Sequence, residues 1–122
     1  VTNNYTLITF GLDGTQQVPS NSSTASGDGY ALVDRATLNT ELTIFTREVD
    51  DAVAAHIHSG VRGENGSVLV ALLQDTDESN VWFTPFDFTL SNDTLAAFLS
   101  AGHYVNVHTP AFVNGEIRGQ IE

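Results

Sequence analysis

The sequence predicts an all-β protein, an antiparallel Ig-like or Greek-key β-sandwich of about eight strands with one short helix. Short runs rich in Val, Ile, Thr and aromatic residues recur along the chain, several with alternating apolar and polar positions. Gly, Pro, Asn and Asp separate these runs at close spacing. A helical pattern occurs only over residues 92–101. Many short strands with frequent turns are typical of sandwiches.

The strands follow from alternation and turn residues. A first strand ends before a long polar loop, predicted over residues 15–29. In the third run Leu38, Leu42 and Ile44 share one face, as expected of a half-buried hairpin. Pro85 interrupts the sixth run and places it at a sheet edge or a bulge. The predicted strands cover residues 5–12, 30–33, 38–45, 53–58, 67–73, 82–90, 103–109 and 115–121.

The single predicted helix has a recognisable start and end. Ser91 is suited to the N-cap position, because its hydroxyl can accept a hydrogen bond from the first turn. Leu95, Phe98 and Leu99 form one apolar face, and Gly102 is the expected C-terminal stop. This helix precedes the strand that contains two of the four histidines.

Length and charge limit the classes of function. The 122 residues are predicted to form one domain spanning 1–122. The net charge is −11, with fifteen acidic residues, four arginines and no lysine, which argues against nucleic acid or anionic lipid as a partner. No apolar run reaches the 18 residues that a membrane-spanning helix needs. Without cysteine, a transition-metal site must use His, carboxylate or water.

Several features predict an extracellular or cell-surface glycoprotein. The chain contains no methionine, so Val1 is interpreted as the start of a processed chain from which a signal peptide has been removed. Four Asn-x-Ser/Thr sites are candidate glycosylation sites, at Asn4, Asn21, Asn65 and Asn92.

Three histidines lie in two strands of matching alternation. His56 and His58 are two residues apart, so they project from one face with Cβ atoms about 6.5–7 Å apart. His108 shares the polar face of its strand with Asn106. If the strands are neighbours, three imidazoles converge as ligands for Cu(II) or Zn(II). The alternative is that these side chains form polar hydrogen bonds that stabilise the sandwich.

Other polar residues are candidates for supporting roles. His103 lies on the face of its strand opposite His108 and is expected to interact with the end of the helix. The alternatives are that it contacts another subunit or binds the metal. Arg118 is expected to pair with a carboxylate or to tether the 60–66 loop through its carbonyls. Glu116 is expected to orient a histidine N–H or to form a surface ion pair, and Asn106 to support the ligands.

Five motifs are spread along the chain, at residues 12–19 (LDGTQQVP), 54–60 (AAHIHSG), 63–66 (GENG), 104–109 (YVNVHT) and 114–120 (NGEIRGQ). Taken together, they resemble the CHRD domain, a module named from chordin that also occurs in many secreted proteins. The opening motif of that family usually has an acidic residue before Val-Pro, where this chain has Gln17. The His-x-His strand and the final strand are also similar to the copper–zinc superoxide dismutase sandwich. The CHRD resemblance implies a secreted or surface-exposed β-sandwich.

The sequence therefore favours a non-enzymatic binding or assembly module that holds copper or zinc. It contains no cysteine nucleophile, no Gly-x-Ser-x-Gly elbow and no phosphate-binding glycine loop before a helix. The metal site is expected either within one subunit or between copies in a homo-oligomer, filament or matrix. The alternatives are a superoxide-dismutase-like copper enzyme, with Arg62 or Arg118 steering an anion, and a module that binds a growth-factor-like protein.

Overall fold

The structure of the protein is a computed structural model, which describes residues 4–122. Its described part is an antiparallel sheet of nine strands with one short helix, so the predicted fold class is confirmed. A single 3₁₀ turn, Gly14–Gln16, follows the first strand. The remaining elements are β1 (Tyr5–Asp13), β2 (Ser26–Asp34), β3 (Thr40–Arg47), β4 (Ala54–Ser59), β5 (Val68–Ala71), β6 (Leu73–Gln74), β7 (Val81–Phe83), α1 (Asn92–Leu99), β8 (His103–His108) and β9 (Ile117–Gln120).

One bent segment, residues 68–74, nearly closes the sheet into a barrel. Its strand order is β5-β4-β8-β9-β1-β2-β3-β7-β6, and the two end strands are separated in the chain only by Leu72. The first half of this segment pairs with β4 and the second half with β7. On the opposite side, β1 meets β9 through the single pair Asp13 and Arg118. The architecture is therefore intermediate between a two-layer sandwich and a barrel.

Alternation along β4 and β8 separates an apolar core from a polar face. Ala55 and Ile57 of β4 and Val105 and Val107 of β8 are buried in the hydrophobic core. His56, His58 and His108 occupy alternate positions and face the other way, as predicted. Val53, the first residue of the predicted strand over 53–58, precedes β4 and is 66 % exposed, because alternation between core and polar face holds only within the paired strand.

The predicted loop over residues 15–29 is too long, since β2 already begins at Ser26. Gly27 and Gly29 suggested a loop, but both lie within the β1–β2–β3 ladder. A Cβ on Gly29 would lie 2.5 Å from Cζ of Phe10, so glycine is required by the space that the phenylalanine ring fills.

The sixth predicted strand is shorter than expected, and only Val81–Phe83 is paired with β3. The chain leaves the ladder at Pro85, where a strand hydrogen bond cannot be donated, and Thr89 forms an isolated bridge with Asn39. Residues 84–88 and 90, which were predicted to extend this strand, therefore form turns and irregular structure before the helix.

The helix begins where predicted and ends slightly earlier. The Ser91 hydroxyl accepts a hydrogen bond from the Thr94 N–H over 3.1 Å, which confirms the N-cap. The helix ends at Leu99, because Ala101 adopts a left-handed conformation with φ 63° and Gly102 donates to the Ala97 carbonyl. Phe98 is fully buried, whereas Leu99 is 39 % exposed and lies outside the apolar face. None of the helices within residues 4–122 is long and apolar enough to cross a membrane.

Candidate metal centre

Three histidines from two neighbouring strands form a cluster on the polar face of the sheet. β4 and β8 are antiparallel, with Ala54 opposite His108 and His56 opposite Asn106, so His56 and His108 are diagonal neighbours. The ring centroids lie 5.0 Å apart for His56 and His108, and 5.6 Å apart for His56 and His58. One ring nitrogen from each of the three histidines lies within 4.8 Å of the others. The predicted convergence is therefore present.

Backbone carbonyls define the tautomers of two of these rings. His58 Nδ1 lies 3.0 Å from the Gly66 carbonyl oxygen, and His108 Nδ1 lies 3.0 Å from that of Val113. Because a carbonyl can only accept, each Nδ1 carries the hydrogen and donates it, which leaves Nε2 with a free lone pair. Nε2 of both rings is buried and has no hydrogen-bond partner within residues 4–122, and the same holds for Nδ1 of His56.

The spacing of the nitrogens fits a single ion after a small contraction. Nitrogens bound to one tetrahedral ion at about 2.0–2.1 Å lie roughly 3.4 Å apart. Three atoms separated by the observed upper limit of 4.8 Å would each have to move by about 1 Å to reach that geometry. Ring rotations supply such movements, and three neutral imidazoles are a donor set that suits Cu(II) and Zn(II).

Burial keeps two of the rings neutral. Desolvation lowers the pKa of His56, and the neighbouring His108 and His58 lower it further, because imidazolium charges repel one another. Desolvation also lowers the pKa of His58, although the hydrogen bond to the Gly66 carbonyl and the nearby Asn106 side chain, which can accept from the protonated ring, oppose this shift. Neutral imidazoles are the form that binds metal, so the environment favours the ligand state at neutral pH.

These pKa shifts predict that the metal-free protein loses stability in mild acid. A histidine whose pKa is lowered on folding binds a proton more readily in the unfolded state, so unfolding becomes easier as pH falls below the unfolded value of about 6.5. The contribution of these two histidines to the free energy of unfolding is fully present above that value. It is lost as the pH falls through the lower, folded-state pKa values. Urea midpoints in chelator, from about pH 8 to pH 5, measure the effect.

A double variant isolates the contribution of the cluster to this pH dependence. His56→Gln combined with His58→Gln should flatten the dependence, leaving the part due to His103, whose pKa is also lowered by burial. An equally steep loss of stability in the double variant would contradict the prediction.

The 60–66 loop covers the cluster and is held by the polar face of the sheet. Arg118 donates hydrogen bonds to the Val61 and Glu64 carbonyls over 3.0 and 2.9 Å, which confirms the predicted tether. Its guanidinium carbon lies 3.5 Å from the centroid of the Tyr104 ring. That ring is stacked on His58, with 4.9 Å between centroids and 2° between the planes. Arg118 therefore acts on His58 through both the loop and Tyr104.

Gly66 is the point where this loop contacts the histidines. Its carbonyl accepts from His58 Nδ1, and its N–H donates to the Tyr104 hydroxyl over 3.0 Å. A Cβ at this position would lie 1.5 Å from the Ser59 carbonyl oxygen, so no other residue fits without moving the loop. The glycine allows the close backbone approach that orients His58.

Glu116 does not have the role predicted for it. Its carboxylate accepts hydrogen bonds from Ser23 over 2.5 Å and from Thr109 over 2.8 Å, and so joins the N-terminal loop to the loop after β8. The Gly66 and Val113 carbonyls instead accept from the histidines. Carbonyls are present at every residue, so no sequence pattern distinguishes the two that are used.

His103 lies apart from the cluster, on the core side of β8. It is buried, and its ring centroid lies 5.4 Å from that of Phe98 in the helix. Its Nδ1 has no hydrogen-bond partner within residues 4–122, so the expected interaction with the helix end stays a prediction. It is not among the three histidines whose nitrogens converge. Its placement follows from alternation, since it lies an odd number of positions, five, before His108 along one strand.

Two residues of the polar face were not singled out from the sequence, although alternation places them there. Tyr104 stacks on His58, and Gln120 donates from Nε2 to the carbonyls of Gly60, Ala101 and His103. Both are almost fully buried. They share the faces of Asn106 and Arg118 respectively, which is the sequence pattern that could have identified them.

The family model of the CHRD domain matches residues 8–121, nearly the whole chain. The chain belongs to the CHRD domain family. The resemblance inferred from its motifs is confirmed, and CHRD domains are typically extracellular. No curated protein and no solved structure gave a match. The arrangement of the histidines in this CHRD domain must therefore be interpreted from its own geometry.

Proposed function

We propose that this CHRD domain is an extracellular binding module that holds one Cu(II) or Zn(II) ion through His56, His58 and His108. The convergence of three ring nitrogens within 4.8 Å supports the proposal most strongly. Two of those rings are oriented by hydrogen bonds from Nδ1 to backbone carbonyls, the usual arrangement behind a metal-binding imidazole. The general affinity order of divalent ions favours copper over zinc at such a site.

The polar groups around the cluster support a built site rather than a chance cluster of surface histidines. His58, Asn106 and Arg118 are each at least nine-tenths buried, beneath the loops that follow β4 and β8. Each histidine retains a buried nitrogen without a hydrogen bond among the described residues, although burying such a group costs free energy. A bound metal ion would satisfy all three nitrogens at once.

A superoxide-dismutase-like enzyme is less well supported. It would need a cation to steer superoxide, and only Arg62 and Arg118 were candidates. Arg62 forms an ion pair with Glu122, and the guanidinium of Arg118 donates to Val61, Glu64 and Gln120 beneath the loop. Neither arginine lines the pocket that the histidines border. A binding role without catalysis therefore agrees better with the charges near the site.

Secretion, glycosylation and assembly extend the same proposal. Asn4 and Asn92 are exposed and suited to carry glycans, whereas the amide nitrogens of Asn21 and Asn65 donate to the carbonyls of Glu116 and Val18. Self-association would use β5, whose only strand neighbour in the described sheet is β4 and which exposes Val68 and Leu69. The alternative that the module binds a growth-factor-like protein is supported by the family likeness alone.

Titration of the metal-free protein with Cu(II) and Zn(II) tests the proposed function. We expect one ion to bind per chain, and the free energy of unfolding to rise by about 2.7 kcal/mol when free metal reaches 100 times its dissociation constant. Calorimetry gives the stoichiometry, and thermal melting with and without chelator gives the stabilisation. Mg²⁺ is the matched control, since it prefers oxygen ligands and should leave the melting temperature unchanged. Absence of stabilisation by both transition metals would contradict the proposal.

A further inference from the structure

A pocket of about 450 Å³ lies beside the three histidines. His58 and His108 border it, together with Tyr104, Asn106 and the loop residues Asn65 and Asn114. Two of the three proposed ligands thus face a space large enough for several water molecules. Because the chain supplies three nitrogens and zinc or copper takes at least four ligands, one coordination position is left for a group from this pocket.

We propose that the bound metal keeps an exchangeable fourth position that opens into this pocket, and that the position takes a neutral ligand able to donate hydrogen bonds, namely water. The amide oxygen of Asn106 is inferred to accept from that ligand and hold it. This inference rests on the proposed metal site and adds the ligand that completes the coordination of the ion. It also distinguishes the site from a closed structural one, in which four protein ligands would surround the ion.

The side chain of Asn106 is the reason why we infer a ligand that donates a hydrogen bond. The residue is 5 % exposed and lines the pocket, and its Oδ1 has no hydrogen-bond partner within residues 4–122. Its side chain stands between Tyr104 and His108 on the same face of β8, where it can accept a hydrogen bond from the His58 ring when that ring is protonated. The neutral ring cannot supply this hydrogen bond, because its one N–H lies on Nδ1 and is donated to the Gly66 carbonyl. A buried acceptor of this kind needs a donor. A metal-bound water has two hydrogens and is the simplest donor that also reaches the ion.

A second buried amide lies close to Asn106. Gln17 is also buried, and its Oε1 lacks a partner among the described residues. A Cβ on Gly115 would lie 2.6 Å from Nε2 and 2.8 Å from Oε1 of Gln17, and 2.9 Å from Nδ2 of Asn106, so both amides pack against that glycine.

The residues around the pocket disfavour an anion as the fourth ligand. No arginine lines the pocket, and the chain has no lysine. One of the two amide hydrogens of Asn65 is used on the Val18 carbonyl over 2.8 Å. The net charge of −11 further lowers the local concentration of anions. The ion itself attracts anions, but the acceptor oxygen of Asn106 beside it opposes their entry.

The first test is whether the Cu(II)-loaded protein carries an exchangeable water. Electron paramagnetic resonance in ¹⁷O-enriched water should show line broadening from one coordinated oxygen, relative to ordinary water. Copper that binds without such broadening would overturn the inference and leave the proposed metal site intact. Failure to bind copper at all would overturn both, so the two results are distinguishable.

The second test asks whether Asn106 selects against anions. Asn106→Leu removes the acceptor, and the copper-loaded variant should bind azide about fivefold more tightly than the wild type, the size expected for one hydrogen bond. Asn114→Leu is the matched control, because Asn114 borders the same pocket with an exposed side chain. Equal azide affinity in the wild type and Asn106→Leu would contradict the role of Asn106. The ¹⁷O measurement uses the wild type, so it remains decisive if Asn106→Leu folds poorly.

Discussion

Replacing both His56 and His108 with alanine is expected to lower the affinity for Cu(II) by at least about a thousandfold. Loss of a residue that only orients a metal ligand typically costs 10–100-fold, and this variant removes two of the three proposed ligands themselves. Only His58 would remain, and one imidazole does not hold an ion in competition with water. Calorimetric titration of the metal-free double variant measures the loss. The stabilisation of the protein by copper should disappear with it.

The control for this variant is His103→Gln, which removes the one histidine outside the cluster. It should bind copper like the wild type, even if its packing on Phe98 makes the fold less stable. The double alanine variant should fold in the absence of metal, because both replaced rings are only partly buried. Wild-type copper affinity in the double variant would eliminate the proposed site.

Replacing Arg118 with methionine is expected to lower the free energy of unfolding by about 3–4 kcal/mol. Arg118 is 1 % exposed and donates hydrogen bonds to two carbonyls and to the Gln120 side chain. Methionine fills similar space but leaves the buried Gln120 side-chain oxygen and the two partly buried loop carbonyls without this donor, at about 1–3 kcal/mol for each group that water cannot reach. It also removes the cation from the Tyr104 ring. Urea denaturation of the metal-free protein measures the change.

Arg62→Met provides the matched control for Arg118→Met. The side chain of Arg62 is 56 % exposed, and its ion pair with Glu122 lies at the surface. Such pairs contribute under about 1 kcal/mol, so the control should remain close to the wild type. A similar loss of stability in both variants would show that burial of Arg118 beneath the loop has no special importance. Metal affinity should fall only in Arg118→Met, because the loop that orients His58 is then released.

The position of the histidines relative to the core could be predicted because a strand has only two faces. Ala55, Ile57, Val105 and Val107 are apolar and alternate with polar residues. Once such residues are assigned to the core, His56, His58 and His108 must face the other way. The helix could also be predicted, since its N-cap is a local hydrogen bond. Local geometry and hydrophobic periodicity were sufficient for these features.

Prediction failed where long-range contacts override local preference. Gly27 and Gly29 suggest a loop, yet they lie in a strand because the neighbouring Phe10 ring and the Phe45 carbonyl leave no room for a side chain at these positions. The segment through Leu72 bridges the two ends of the sheet, and its local pattern shows only a single apolar strand. Pairing between distant segments depends on how the whole core packs, which alternation alone does not encode.

The sequence by itself determined that the chain is all-β, that it resembles a CHRD domain, and that three histidines share the polar faces of two strands. Only the tertiary structure brought β4 beside β8, so that the three rings meet. It also selected the Gly66 and Val113 carbonyls that set the tautomers, and buried Arg118 against Tyr104. The physical reason is that side-chain direction is a local property of a strand. The neighbours a side chain meets depend on strand order and on the loops that fold over the sheet.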